Sequence, residues 1–190
     1  MRAAVVVPVK DFGMAKVRLA PALNPAERAA LARMMAGHVL ASAAPLPVWV
    51  ACDSHEVAAW AEAAGAGVLW GPGLGLNGAV GEGVATLAAE GFDRVIVAHA
   101  DLPLAGELSW AARLDGVTIV PDRHDDGTNV LCVPAAASFT FAYGPGSYRR
   151  HAAEARRLGL AVRVVREPAL GWDVDLPADL EHPLLVAARA

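Results

Sequence analysis

Short, uniformly apolar runs that alternate with alanine-rich stretches constrain the fold of this chain more than any other feature. Such runs are typical of strands that are covered on both faces, as in a parallel sheet between helices. The run at 95–98 leads through His99 to Asp101, and Pro103 follows. In open α/β sheets, ligands bind outside the carboxyl ends of the strands. Asp101 is therefore predicted to lie where a magnesium ion and a phosphate can meet.

The order of these segments predicts an α/β protein whose first half is doubly wound. Asn24, Pro25 and Glu27 have the pattern of a helix N-terminus, and this helix is expected to run to about Ala44. The polar segment 122–127 between two apolar runs predicts a long loop and mixed strand directions. Strands are predicted at 3–9, 48–51, 67–70, 95–98, 117–120, 129–133 and 161–165. Helices are predicted at 25–44, at 55–64, from the glycine-rich turn 71–78 to about 90, at 147–158 and at 177–188.

Composition narrows the class of protein. With 190 residues, of which 55% are hydrophobic, we expect one domain over 1–190. The net charge of −4 argues against broad binding to nucleic acid or to anionic membranes. Cys52 and Cys132 lack metal-binding spacing, which indicates reduced thiols. The absence of a signal-like segment or a membrane-length apolar run favours a cytoplasmic location. The oligomeric state stays open.

A basic segment follows the first predicted strand. Lys10, Lys16 and Arg18 lie there, and their charges are expected to converge on the edge that holds Asp101. The segment is not a P-loop, because Val17 stands where a serine or threonine would bind magnesium. The alternative is a solvated, flexible loop.

Gly73, Gly75 and Gly78 match the dinucleotide-binding pattern G-x-G-x-x-G. The pattern follows the third strand instead of the first, and no acidic residue completes it. An NAD-dependent oxidoreductase is therefore the weaker hypothesis. Asn77 and the backbone at Gly78 are expected instead to face a purine, with an ordinary glycine turn as the alternative.

A second anion site is predicted at the turn from Gly144 to Ser147. Free N–H groups and a hydroxyl at a helix start favour an anion. Arg149 and Arg150 are unfavourable in the first helical turn unless a negative partner offsets them, which indicates an anionic ligand. Thr128 adds a hydroxyl from a neighbouring strand. The alternatives are an N-cap serine and an ordinary strand threonine.

Asp173 and Asp175 flank one residue, so in an extended segment both carboxylates point to the same side. Asp173 is predicted as the second magnesium ligand, because Asp175 precedes Pro177 and can serve as a helix cap. His99 is expected to support the turn at Asp101 and not to join a two-metal hydrolase centre.

Taken together, these segments resemble the 2-phospho-L-lactate or phosphoenolpyruvate guanylyltransferases of coenzyme F420 biosynthesis, within the MobA-like nucleotidyltransferase fold. Val17 departs from the usual threonine of the family, and Gly78 departs from the usual alanine. The resemblance rests on VPVK at 7–10, AKVRLAP at 15–21, NPAERAALA at 24–32, GLN at 75–77, HADLPL at 99–104, PDRHDDGTNVL at 121–131, YGPGSYRRH at 143–151 and DVDLPADL at 173–180.

The resemblance implies a Rossmann-like three-layer fold with a mixed, mainly parallel sheet. It also implies transfer of GMP from GTP to phosphoenolpyruvate or 2-phospho-L-lactate, with release of pyrophosphate. The implied residues are Lys10, Lys16, Arg18 and Asp101 for catalysis, Pro8, Lys10, Lys16, Asn77 and Gly78 for GTP, Asp101 and Asp173 for Mg²⁺, and Thr128, Gly144 and Ser147 for the phosphate of the acid.

The identity of the acid stays open among phosphoenolpyruvate, 2-phospholactate and 3-phosphoglycerate. The abundance of Ala, Gly, Arg and Val is typical of GC-rich bacteria, and bacterial relatives are linked to phosphoenolpyruvate. The composition therefore favours this acid by association only. The product is expected to pass to a transferase that carries the deazaflavin. The remaining alternatives are a related nucleotidyltransferase with another phosphorylated acceptor and a nucleotide-binding module without activity.

Overall fold

A single seven-stranded sheet organises the computed structural model, which describes residues 1–182. Its order is β3-β2-β1-β4-β6-β5-β7. Strand β6 runs antiparallel to both of its neighbours, β4 and β5, and the other paired strands are parallel. The strands are β1 (Ala3–Pro8), β2 (Val48–Cys52), β3 (Gly67–Trp70), β4 (Arg94–Ala98), β5 (Val117–Pro121), β6 (Thr128–Pro134) and β7 (Val162–Val164). The mixed direction predicted for the second half is confirmed.

Helices connect these strands on both faces of the sheet. They are α1 (Pro25–Ser42), α2 (His55–Ala63), α3 (Gly75–Ala89), α4 (Ser147–Arg157) and the single turn α5 (Pro168–Gly171). Asn24 caps α1 by accepting from the N–H of Glu27, whose carboxylate accepts from the N–H of Asn24 in return. Turns of 3₁₀ helix occupy Phe12–Met14, Val17–Leu19, Ser109–Arg113 and Pro177–Glu181.

Two predicted helix boundaries differ from the structure. Helix α3 begins at Gly75, so Asn77 and Gly78 lie in its first turn and not in a preceding loop. Leu74 occupies the N-cap position of α3 and makes no capping hydrogen bond, so the sequence contains no cap residue that marks this start. The helix predicted at 177–188 begins as the 3₁₀ turn Pro177–Glu181, and residues 183–190 lie outside the described part of the chain.

Alternation along the central strands divides the core into two layers. Val5 and Val7 of β1 pack with residues of α1 and α2, whereas Val6 packs with residues of α3 and α4. A third apolar cluster, which includes Leu19 and Val174, fixes the segment after β1 and the C-terminal segment to α1. The sheet is thus covered on both faces, which accounts for its uniformly apolar strands.

The two cysteines lie in strands β2 and β6. Cys52 and Cys132 are both buried and free. Within residues 1–182, no helix has the length and apolar character needed to cross a membrane.

Gly116 provides a test of the packing between β5 and β7. Its φ is +75°, and a Cβ there would lie 2.2 Å from the carbonyl oxygen of Ala161. Gly65 has a similar φ of +79°, but a Cβ there would meet nothing within 4 Å. Both alanine substitutions incur the cost of a left-handed backbone, about 1–2 kcal/mol. Gly116→Ala should destabilise the protein by about 2 kcal/mol more than Gly65→Ala, since the clash is with backbone. Urea unfolding of the two variants measures the difference, and equal losses would contradict this packing.

Candidate active site

A cleft of about 440 Å³ opens at the carboxyl ends of β1, β2 and β4. Five of the residues predicted to meet substrate or metal line it, and so does Asp175, which the sequence had suggested as a helix cap. The five are Pro8, Lys10, Lys16, Arg18 and Asp101. The segment after β1 and the end of β4 therefore do converge on one edge of the sheet.

The basic segment after β1 is anchored at several points. Phe12 is buried and packs edge-on against Trp60, with ring centroids 5.2 Å apart. Asp11 accepts from the N–H of Gly13 at 2.9 Å and from the hydroxyl of Ser54 at 2.9 Å. These contacts bind the segment to the elements around β2, so the alternative of a solvated, flexible loop does not describe it.

Lys16 is the charged centre of the cleft. Its backbone adopts the left-handed conformation with φ of 55°, which is unusual for a residue with a side chain. Its ammonium donates to Asp101 Oδ2 at 2.5 Å and to Asp175 Oδ1 at 2.9 Å. Burial lowers the pKa of Lys16, but the two carboxylates outweigh burial and leave that pKa above its ordinary value. The ammonium therefore stays charged throughout the neutral range.

Asp101 keeps its charge despite burial. Burial raises its pKa, but the opposing effects of Lys16 and, next, of His99 leave the pKa below its ordinary value. Its Oδ1 atom is buried and has no hydrogen-bond partner among residues 1–182. One oxygen of this carboxylate thus accepts from Lys16, and the other lacks a partner within the described residues.

The C-terminal segment brings two more carboxylates to Asp101. The N–H of Val174 donates to the carbonyl oxygen of Asp101 at 3.2 Å. Burial and then the charge of Asp101 raise the pKa of Asp173 above its ordinary value. Its Oδ1 lies 3.4 Å from Asn129 Nδ2 and 3.4 Å from Arg123 Nη1. Asp173 therefore lies near Asp101 but has partners different from those of Asp175.

Asp179 explains why Asp175 is free to pair with Lys16. The carboxylate of Asp179 accepts from the N–H groups of Asp175 and Leu176, at 2.7 and 2.6 Å. The same carboxylate also accepts from Arg123 at 2.5 Å. Asp179 thus caps the turn for which the sequence had suggested Asp175 as the cap. The sequence signal for it was the acidic residue at the third position of that turn.

The donors at this edge fit a magnesium ion that is completed by substrate phosphates. Mg²⁺ commonly binds one or two carboxylates together with phosphate oxygens and water. Asp101 Oδ1 lacks a hydrogen-bond partner within residues 1–182, and burial and then the charge of Asp101 raise the pKa of Asp173, so a cation between the two carboxylates would stabilise their charged forms. No group of three or more His, Cys, Asp and Glu side chains that could hold a metal is found in the described range 1–182. Substrate phosphates and water would supply the ligands that Asp101 and Asp173 do not.

Thr128 and Ser147 lie together on the other side of β4. Both are buried, and their hydroxyl oxygens are 3.4 Å apart. His151 Nε2 accepts from the N–H of Ala142 at 3.0 Å, so its proton is on Nδ1 and points to Thr128 Oγ1, also 3.0 Å away. Thr128 therefore accepts from His151 and can donate its own proton to a ligand.

The start of α4 already contains an anion from the chain itself. Asp126 Oδ2 accepts from the N–H of Gly146 at 3.0 Å. The guanidinium of Arg150 turns away and donates to the carbonyl oxygens of Ala142 and Pro145. Carbonyl oxygens of the chain thus stabilise the guanidinium of Arg150 near the start of the helix, without an external anion. Gly144, with φ of 116°, lies in the loop that leads into this helix.

Asn77 does not line the cleft. Its side-chain oxygen accepts from the N–H of Tyr143 at 2.6 Å, and its Nδ2 lies 3.5 Å from the carbonyl oxygen of Tyr143. The cleft instead contacts its neighbours Gly75, Leu76 and Ala79. Asn77 thus joins α3 to the loop before α4, and Gly78 lies beside it in the first turn of α3.

Comparison with known proteins gives this geometry its context. The family model described as guanylyl transferase CofC like matches residues 3–187. This chain belongs to that family. The phosphoenolpyruvate guanylyltransferase of Sphaerobacter thermophilus is 38% identical, with 93% of this chain and 90% of the relative covered. The 2-phospho-L-lactate guanylyltransferase of Methanothermobacter thermautotrophicus is 36% identical, with 97% and 85% covered.

Solved structures support the fold. A nucleotidyl transferase from Methanothermobacter thermautotrophicus superposes with a TM-score of 0.66 at 17% identity and covers 94% of each chain. The predicted α/β nucleotidyltransferase fold is confirmed. As a CofC-like chain, the protein is a nucleotidyltransferase whose cleft lies where its fold predicts.

Beside the cleft of this CofC-like chain, two residues with important contacts were not predicted from the sequence. Arg123 was not singled out, although it holds Asp173 and Asp179 and packs over the ring of Trp172. Asn129 was also missed, although it contacts Asp173. Both residues lie in the segment PDRHDDGTNVL, whose density of polar residues was the available signal.

His151 provides a test of the buried polar group around Thr128. Burial, followed by the charges of Arg150 and His99, lowers the pKa of His151 to about 4 from an ordinary value of 6.5. The folded protein therefore favours the neutral ring, and this preference contributes fully to stability above pH 6.5. The contribution falls as the pH drops from 6.5 towards 4, by up to about 3 kcal/mol.

The free energy of unfolding, measured in urea from pH 7.5 to 4.5, should fall less steeply for His151→Gln than for the wild type. The comparison of slopes separates this effect from the loss of hydrogen bonds, which lowers stability at every pH. Parallel pH profiles would contradict a neutral, buried His151.

Proposed function

We propose that this protein transfers GMP from GTP to a phosphorylated three-carbon acid, phosphoenolpyruvate or 2-phospho-L-lactate, and releases pyrophosphate. The observation that carries the proposal is the contact of Lys16 with both Asp101 and Asp175 inside the cleft of a CofC-like chain. The names of the relatives supply the two candidate acids. On this proposal the activated diphosphate product is an intermediate of coenzyme F420 biosynthesis.

In this proposal the triphosphate lies along the segment after β1. An ammonium has three N–H bonds, and Lys16 uses two of them for carboxylates, so the third can be donated to a phosphate oxygen. Lys10 and Arg18 line the same cleft and supply further positive charge. Pro8 shapes its floor. Asn77, which fixes α3 to Tyr143, and Gly78 beside it are proposed to support the wall near the guanosine.

Asp101 and Asp173 are the proposed ligands of Mg²⁺. When bound, the ion neutralises charge on the phosphates and polarises the bond to the α-phosphorus. Asp175 is assigned a different task, which is to hold Lys16 in place. Asn129 and Arg123 in turn fix the carboxylate of Asp173.

The acid is proposed to bind with its phosphate near Thr128, Gly144 and Ser147. Its phosphate is already ionised near neutral pH, because the second pKa of a phosphate ester is about 6. A phosphate oxygen attacks the α-phosphorus of GTP, the new P–O bond forms, and the bond to the β-phosphate oxygen breaks to release pyrophosphate. No side chain needs to remove a proton, so the protein acts by positioning the reactants and neutralising their charge.

We place the reaction in the cytoplasm, in keeping with the buried free thiols of Cys52 and Cys132. The product would be handed to the transferase that carries the deazaflavin. The chain is proposed to act as one domain over residues 1–190. The seven described strands all belong to one sheet, which supports this proposal.

Asp101→Asn tests the proposal directly. The substitution leaves the shape of the side chain but removes the charge that pairs with Lys16 and faces the phosphates. Pyrophosphate release from GTP should fall by about 100-fold or more. The assay is run with phosphoenolpyruvate, 2-phospholactate and 3-phosphoglycerate in turn.

Asp115→Asn is the matched control, because Asp115 is exposed and precedes β5 at the opposite edge of the sheet. This variant should match the wild type. Three results would each refute the assigned reaction: full activity of Asp101→Asn, pyrophosphate release without any acid, or no release with any of the three.

Asp173→Asn and Asp175→Asn separate the two carboxylates of the C-terminal segment. Loss of a proposed ligand should raise the Mg²⁺ concentration needed for half-maximal rate by about ten-fold or more in Asp173→Asn. Asp175→Asn should change that concentration little and should raise the KM for GTP, because Lys16 loses a partner. Rates measured across a Mg²⁺ series decide the matter, and the reverse pattern would exchange the two roles.

A further inference from the structure

His99 lines the cleft on the side that faces Thr128 and Tyr143. It follows β4, and its N–H donates to the carbonyl oxygen of Asn129 at 2.9 Å. By strand alternation its ring is on the face of Val95 and Val97, towards α3 and α4. The ring packs against Tyr143 at a centroid distance of 5.0 Å and also lines the cleft. His99 therefore borders both the cleft and the region around Thr128 and Ser147.

Electrostatic effects support this location. Burial raises the pKa of Asp101, and among the charges that lower this pKa, His99 comes next after Lys16. After burial and Arg150, it is the next influence that lowers the pKa of His151. The imidazole is therefore close enough to act on the carboxylate of Asp101 and on the group around Thr128.

The Nε2 atom of His99 is buried but has no hydrogen-bond partner in the part of the chain that the structure describes. Buried polar atoms are nearly always paired, and one that is not paired needs an explanation. The hydroxyl of Tyr143, whose ring contacts His99, and Asp101 Oδ1 are also buried and unpaired within residues 1–182. Three such atoms on neighbouring residues indicate a position that a ligand completes.

The chemistry of these atoms identifies the ligand group. With its proton on Nε2, the imidazole of His99 is a hydrogen-bond donor, and a donor at a site for anions selects an oxygen with negative charge. The proposed acid has two anionic groups, and Thr128, Gly144 and Ser147 account only for its phosphate. We propose that His99 Nε2 donates a hydrogen bond to the carboxylate of the three-carbon acid and so selects phospho-acids over simple phosphate esters. This inference rests on the proposed function.

The test compares two ligands that differ by the carboxylate alone. Ethyl phosphate is 2-phospholactate without its carboxylate, so both present the same phosphate ester. Calorimetry with the wild type and with His99→Leu gives the Kd of each ligand. His99→Leu should weaken 2-phospholactate by about ten-fold or more and ethyl phosphate by less than about two-fold. His99→Met, of similar volume, repeats the test should the leucine variant fail to fold.

Two further variants act as controls. His99→Gln keeps an N–H close to the place of Nε2 and should recover part of the affinity for 2-phospholactate. His55→Leu replaces an exposed histidine that stacks on Trp70 outside the cleft lining, and it should leave both Kd values unchanged. In steady-state assays, His99→Leu should raise the KM for the acid and leave the KM for GTP within about two-fold.

Equal weakening of both ligands would overturn the inference, because the loss would then concern the phosphate or the packing. Unchanged binding of 2-phospholactate in His99→Leu would overturn it as well. Failure of the proposed function has a separate signature, which is the absence of pyrophosphate release by the wild type. A wild type that bound 2-phospholactate no better than ethyl phosphate would refute the carboxylate contact whether or not turnover occurs.

Discussion

An ammonium shared by two carboxylates ties together three parts of the chain that are far apart in sequence. Lys16 lies 85 residues from Asp101 and 159 residues from Asp175. Lys16 and Asp101 are largely shielded from water, so removing either charge leaves the other poorly compensated, at a cost of about 3–5 kcal/mol in comparable buried pairs. The side chain of Asp175 is 45% exposed, so its pairing with Lys16 contributes less. The segment after β1, the end of β4 and the C-terminal segment must therefore come together for any one of them to be stable in this position.

The apolar contacts around this charged centre determine its geometry. Phe12 and Leu19 bury the segment after β1 at two points, and Lys16 lies between them in a strained backbone conformation. Val174 is buried in the same cluster as Leu19, which brings the C-terminal carboxylates to Asp101. The hydrophobic effect thus supplies the order that the charges alone would not, since a lysine side chain loses considerable freedom on binding.

Most of the fold and part of the cleft could be predicted because their signals are local. Uniform apolar runs identified the strands, and Asn24 with Glu27 marked the start of α1. Asp101 was predicted from its place after β4, since strand ends in such sheets meet at one edge. The family motifs added the segments that pattern alone leaves ambiguous.

The remaining contacts depend on competition between similar groups, which a sequence does not rank. Asp175 and Asp179 are both suited to cap the last turn, and Asp179 does so while its other oxygen accepts from Arg123. Asp126 occupies the start of α4 because the loop 122–127 folds back onto it. Asn77 pairs with a backbone 66 residues away. Which polar side chain forms each of these hydrogen bonds depends on the tertiary structure, because the structure decides which candidate lies within bonding distance.

The reversed direction of β6 has an evolutionary consequence. Because β6 runs antiparallel to β4, Thr128 at the start of β6 lies at the same edge of the sheet as Pro8 and Ala98, which end β1 and β4. The stretch that follows the reversal includes Thr128 and the start of α4, and it is separate from the stretch that contains Lys16. On the proposed function, the contacts to the phosphate of the acid lie in one stretch and the contact of Lys16 with the triphosphate lies in the other, so mutations can change the first while the second is inherited unchanged.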